Sequence, residues 1–172
     1  PATGAEHPTL DPVQVTWPLQ APGQVSLVTD ALPAGRESGD LLRDIAGVSG
    51  SRMGGHGTDP VIRGLGQNRI NVLLDGAFVH GACPNRMDPP SAYASAGVYD
   101  SITVIRGIST LEHGSGPGGT VLFERDTPRF VAAEAPRGRA RVGWRGNGAV
   151  REGGFDLSVG QPGGFVRGFG SA

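Results

Sequence analysis

Lysine is missing altogether: all 15 basic residues of the 172-residue chain are arginine. A phosphate-binding P-loop needs its lysine and Schiff-base catalysis needs a primary amine, so both are excluded. Cysteine occurs once, at Cys83, which rules out an internal disulfide and leaves the compartment undecided by redox chemistry. The histidines at 7, 56, 80 and 113 lack zinc-finger spacing. No run of about 18 apolar residues exists, so no helix is expected to span a membrane. The opening stretch from Pro1 to Pro8 lacks the basic start and apolar core of a signal peptide, as expected of a mature chain if the protein is exported. Net charge is also scarce: a formal value of −1 provides no global field to attract nucleic acid.

Glycine and proline are abundant instead, at 30 and 14 residues, while only 37% of the chain is hydrophobic. Such a composition favours short elements joined by many turns, and the length suits one modest core with a small appendage. Residues 1–22 are proline-rich around one apolar alternation, Val13-Gln14-Val15-Thr16-Trp17. That segment reads either as part of a flexible arm that can add a strand to a partner's sheet or as an edge strand of its own domain.

Residues 24–29 alternate as a strand. Residues 38–47 read as a short helix with Ser38 or Asp40 as N-cap, Gly47 as stop, and Leu41, Leu42 and Ile45 on the buried face. Further strands are predicted at 60–63, 69–74, 101–105 and 119–124, with a short helix over 109–113 ended by Gly114. Helices and strands interleave, which predicts an α+β domain with a mixed sheet.

After Pro128 the pattern changes. Arg139, Arg141, Gly143 and Arg145 fall on one strand face, and Ala140, Val142 and Trp144 on the other. Phe155, Leu157 and Val159 repeat the alternation after an Asn147-Gly148 turn, and a third run begins at Phe165. Strands of an outer-membrane barrel have this two-faced pattern, but three are too few to close one. The arginines of this region therefore read as a polar strand face, and no nucleic-acid partner is predicted.

Two glycine-punctuated units frame the middle of the chain: Ile62-Arg63-Gly64 leading to Val72-Leu73-Leu74-Asp75-Gly76, and Val104-Ile105-Arg106-Gly107 leading to His113-Gly114-Ser115-Gly116-Pro117-Gly118-Gly119. The last run satisfies G-x-G-x-x-G, yet a predicted helix precedes it and a strand follows, the reverse of what phosphate binding requires. Ser115 is not in a G-x-S-x-G context either. Together with Leu41-Leu42-Arg43-Asp44-Ile45-Ala46-Gly47, these collinear motifs closely resemble the plug domain of TonB-dependent outer-membrane receptors, with Ala46 and His113 replacing the family's usual proline and tyrosine. The resemblance implies a small mixed-sheet plug with short helices, followed by the first antiparallel strands of an incomplete β-barrel. It implies a TonB-box-like segment at Val13, Gln14, Val15 and Thr16. It also implies that Arg63 and Arg106 face barrel glutamates that this chain does not contain.

Cys83 and Met87 are spaced i, i+4 in a loop closed by Pro89-Pro90. Thiolate and thioether are soft donors that suit Cu(I) and suit Mg, Ca or Mn poorly. If Pro84 opens a helical turn, the two side chains share one face about 5–6 Å apart at Cβ, and Arg86 would favour the thiolate. A lone Cys is ordinarily a small buried hydrophobe and Met a gap-filler, but a Gly/Pro/Asn-rich loop is a poor place for core packing. His80-Gly81-Ala82-Cys83-Pro84-Asn85-Arg86-Met87-Asp88-Pro89-Pro90 is similar to the loop of the copper receptors among TonB-dependent receptors. That similarity implies Cys83 and Met87 as metal ligands, with further His and Met donors supplied by the barrel. Met53 and His56, spaced i, i+3, read either as part of an ordinary flexible loop or as a lesser, secondary metal station, and His80 and Asp88 flank the pair as candidates for its outer shell.

The expected organisation is an N-terminal arm at 1–22, a plug at 23–128 and barrel strands at 129–172. No enzyme activity is expected. The expected role is copper import across the bacterial outer membrane with TonB as partner. The alternatives are a plug for a siderophore or other nutrient, and a stand-alone periplasmic metal-binding module.

Overall fold

A computed structural model describes residues 23–31, 36–55, 57–83, 85–108, 112–131, 135–146 and 150–171. In chain order the elements are β1 (Gln24–Val28), α1 (Ser38–Leu42), β2 (Val48–Ser51), β3 (Asp59–Ile62), β4 (Leu65–Gly66), β5 (Ile70–Leu74) and β6 (Ala77–Phe78). They continue with β7 (Ser101–Arg106), β8 (Gly119–Glu124), β9 (Arg137–Arg145), β10 (Val150–Gln161) and β11 (Gly164–Ser171). One sheet has the order β1-β7-β8-β5-β6, with β5 parallel to β8 and the other pairs antiparallel. The predicted mixed sheet is therefore present. Beside it lies a small sheet β2-β3-β4.

Strand periodicity builds the core. Val72 and Leu74 of β5, Val121 and Phe123 of β8, and Ile102 and Val104 of β7 share one face, covered by Leu41, Leu42, Ile45 and Ile62. Leu73, Leu122 and Ile105 bury the opposite face as a second, smaller cluster. Burial on both sides explains why these strands read as continuous apolar runs.

Three expectations need correction. The helix is only five residues long, with Glu37 rather than Ser38 or Asp40 at its N-cap. The Ser38 hydroxyl instead donates to the Ala94 carbonyl, and the Asp40 carboxylate receives the Thr58 hydroxyl at 3.3 Å. From Asp40 on, the chain tightens into i→i+3 hydrogen bonds until Gly47, whose φ of +82° ends the run as predicted. Arg63 is not in a strand: Ile62 pairs with Leu65, and Arg63 and Gly64 form the two-residue turn between them, with φ of +49° and +81°. Asp75 and Gly76 repeat this between Leu74 and Ala77, with φ of +48° and +81°. Both motifs are thus hairpin turns of the type I′ kind, in which both central residues need positive φ. The predicted strands otherwise begin or end within a residue of the observed ones, while the short β2, β4 and β6 were not anticipated. Of the helix expected at 109–113, residues 109–111 lie outside the described residues, as do the arm at 1–22 and the turn at Asn147-Gly148.

The third sheet, β11-β10-β9, is antiparallel and open, as predicted. Register places Ala140, Val142, Trp144, Phe155, Leu157, Val159 and Val166 on its outer face, where Val142 is 85% and Trp144 77% exposed. Its inner face carries Arg139, Arg141, Asp156, Arg167 and Phe169. These join it to the five-stranded sheet through ions: Arg139 pairs with Asp30 (2.9 Å), Asp100 (2.6 Å) and Asp156 (3.2 Å), and Arg167 with Asp100 (2.9 Å) and Asp156. The guanidinium of Arg125, held by Asp75, lies 3.6 Å from the centre of the Phe169 ring.

Asp100 has a pH signature. Burial pushes its carboxyl upward, but the hydrogen bonds from Arg167 and the Asp126 N–H, with the charge of Arg139, outweigh that and hold it below the ordinary aspartate range. A carboxylate depressed in the folded state contributes stability that is complete above its unfolded value of about 3.9 and is lost as pH falls through the lower native one. Melting temperatures across an acid series are expected to show this loss, and Asp100→Asn to flatten it. An acid limb unchanged in the variant would remove the network from the account.

Candidate functional site

The loop between β6 and the 3-10 turn at Pro90–Tyr93 carries the predicted donors. It is closed at its base by the Ala82 N–H, which donates to the Asp88 carbonyl at 3.1 Å. Within it the Arg86 N–H donates to the Cys83 carbonyl at 2.8 Å, and Arg86 has φ +49°. This corrects the expected helical turn: Cys83 and Arg86 are joined by an i→i+3 hydrogen bond, Arg86 is left-handed, and no helix is present among the described residues of the loop. The bend nevertheless brings the two sulfur-bearing residues together, because the Met87 N–H points at the Cys83 sulfur, with N···Sγ 3.0 Å. Cys83 is a free thiol of intermediate burial, and Met87 is 48% exposed.

Arg86 does not face the thiol. Its side chain is buried with that of Asp59 (9% and 3% exposed), in a forked pair with Nε–Oδ2 of 2.8 Å and NH2–Oδ1 of 2.9 Å. The remaining nitrogen donates to the Asn68 side-chain oxygen at 3.3 Å. Its charge is therefore matched by Asp59 and is not directed at Cys83.

The other predicted residues divide. Met53 is 56% exposed, and its neighbour Gly54 lies directly against Met87, since a Cβ there would stand 2.8 Å from the Met87 Cβ. His56 lies outside the described residues, as do Val13, Gln14, Val15 and Thr16. His80 is exposed with its ring edge-on to Phe78 at 4.5 Å, and Asp88 serves the loop through its main-chain carbonyl. Arg63 is exposed on its turn. Arg106 is half-buried and donates to the Gly23 carbonyl at 3.1 Å and the Ala46 carbonyl at 2.9 Å. Among the described residues no three His, Cys, Asp or Glu side chains converge as a metal site. Sequence reasoning missed Asp59, Asp75 and Arg125. Asp75 alone carried a signal, as the Asp of an Asp-Gly hairpin turn.

The glycine run at 114–119 has a steric role. The Asn71 side chain donates to the His113 carbonyl at 2.7 Å, and a Cβ on Gly116 would come within 2.8 Å of its Cγ. β8 follows directly, so no helix N-terminus is offered to a phosphate.

A family model described as TonB-dependent Receptor Plug Domain matches residues 19–121. Among solved structures, "Copper transporter OprC" is 34% identical with a TM-score of 0.78, covering 87% of this chain and 23% of that one. A variant of the ferric enterobactin receptor PfeA from Pseudomonas aeruginosa is 22% identical, with a TM-score of 0.69 over 88% of this chain and 24% of that one. The siderophore receptor PirA from Acinetobacter baumannii is 20% identical, with a TM-score of 0.64 over 87% and 24%. The last two likenesses show the fold alone. The chain spans about a quarter of the length of each. No curated protein matches the sequence.

Proposed function

This chain belongs to the TonB-dependent receptor plug family of the bacterial outer membrane, and from that premise we propose that it stops the pore of a copper receptor and captures the ion at Cys83 and Met87. The observation that carries the reading is the bend that sets the Met87 main chain against the Cys83 sulfur on a solvent-facing loop. A thiolate and a thioether carried on one short bend are soft donors, matched to Cu(I) and mismatched to hard cations. The 34% identity to a copper transporter supports the same cargo. Two donors leave the ion unsaturated, so the remaining His and Met ligands come from the enclosing barrel. The two-faced sheet β9–β11 supports that setting over a free periplasmic module. The family's members are transporters, and here the cargo is passed inward when TonB engages Val13, Gln14, Val15 and Thr16. Arg63 and Arg106 then face glutamates on the inner wall of the barrel.

The test is uptake by the full-length receptor. Cys83→Ala and Met87→Ala are each expected to lower bound copper and Cu(I) uptake at least about tenfold, since even outer partners of metal ligands are worth that much. Wild-type copper uptake in both variants would refute the cargo. Loss of ferric-chelate uptake with copper handling intact would assign a siderophore instead.

A further inference from the structure

We propose that Arg86 is the positioning residue of the sulfur loop: anchored on Asp59, it fixes the bend that sets Met87 against the Cys83 thiol, and so governs how tightly the loop holds a soft monovalent cation. The inference rests on the reading of Cys83 and Met87 as donors.

Two observations lead to it. Arg86 has φ +49°, a conformation that side-chain-bearing residues seldom adopt and that glycine or asparagine enters more easily. The long charged side chain at this awkward point is explained by where its head lies, forked onto Asp59 of β3 and bonded to Asn68 ahead of β5. The planar fork admits one orientation, so it ties the loop to the small sheet at a fixed angle.

A buried ion pair is a poor means of gaining stability, because an apolar pair of similar volume does as well or better. What it confers here is direction. Gly54 supplies the second support, packed so closely on Met87 that a Cβ would meet the Met87 carbonyl oxygen at 2.7 Å. Arg86 is thus held by Asp59 and Met87 by Gly54, while Met87 itself remains 48% exposed. The pairing also has an electrostatic consequence: an unmatched guanidinium between the donors would repel an arriving cation, and Asp59 cancels that charge locally.

The decisive experiment titrates the full-length receptor with Cu(I) against a chromophoric chelator and counts sulfur ligands by X-ray absorption at the copper edge. Arg86→Lys keeps the charge but loses the fork. It is expected to weaken binding about 10- to 100-fold, the range for residues that orient metal ligands, with a lower sulfur count. The double variant Asp59→Leu/Arg86→Met replaces the pair by apolar residues; it is expected to melt near the wild-type temperature and to bind as weakly as Arg86→Lys. Wild-type affinity and sulfur count in both variants, with binding lost in Cys83→Ser, would overturn the role of Arg86 and leave the copper reading standing. Undiminished binding in Cys83→Ser would overturn the donor reading itself.

Discussion

Asp59→Ala is expected to cost the chain about 3–5 kcal/mol, the usual loss when one partner of a buried ion pair is deleted. The side chains of Asp59 and Arg86 are 3% and 9% exposed, so solvent cannot replace the missing carboxylate. The guanidinium would be left with only its bond to Asn68, or the loop would lift to bring it to water. Either outcome is severe against a total stability of about 5–15 kcal/mol. Denaturant titration should show the midpoint shift, and limited proteolysis should show cleavage within 81–88. A loss below about 1 kcal/mol would mean that the loop relaxes freely and that Asp59 does not hold it.

Gly119→Ala is expected to lose about 3 kcal/mol or more, for two reasons that add. Its φ of +136° is a conformation that side-chain-bearing residues adopt only at a cost of about 1–3 kcal/mol. A Cβ would also stand 2.3 Å from the Ile105 carbonyl oxygen, a rigid main-chain atom in the adjacent strand, and such overpacking costs about 1–3 kcal/mol more. Gly64→Ala separates the terms. It shares a positive φ of +81° but has open space around the new atom, so about 1 kcal/mol is expected there. Hydrogen exchange should report the difference, with β7 and β8 losing protection only in Gly119→Ala. Equal losses in the two variants would remove the clash from the explanation.

The sheet strands were legible because they bury both faces: 101–105 and 119–124 read as apolar runs punctuated by glycine, and the structure extends the first by one residue, to Arg106. The two-faced pattern after Pro128 was equally plain, since alternation of arginine with apolar residues has only one strand geometry. Helix length was not legible. Ser38 and Asp40 look like caps, but the partner that takes the Ser38 hydroxyl is Ala94, a residue 56 positions away that local spacing cannot reveal. The same limit hid the Arg86–Asp59 pair, 27 positions apart. In sequence Arg86 is a charged residue in a polar loop, and nothing local marks it as buried. The soft donors were visible because their chemistry lies in their own side chains. The Arg86–Asp59 pair ties the loop to β3, which the sequence places but does not connect to them.

The outermost place of β1 in its sheet has a mechanical meaning. Among the described residues it is bonded along one side only, to β7, and the chain reaches it at Gly23, whose carbonyl takes both the main-chain N–H (3.0 Å) and the side-chain Nε (3.1 Å) of Arg106. A tug arriving from the residues before Gly23 loads that double clasp ahead of the ladder behind it. Once the clasp yields, β1 can peel away while β7, β8, β5 and β6 keep every bond they make to one another, so one seam can open with the rest of the fabric intact.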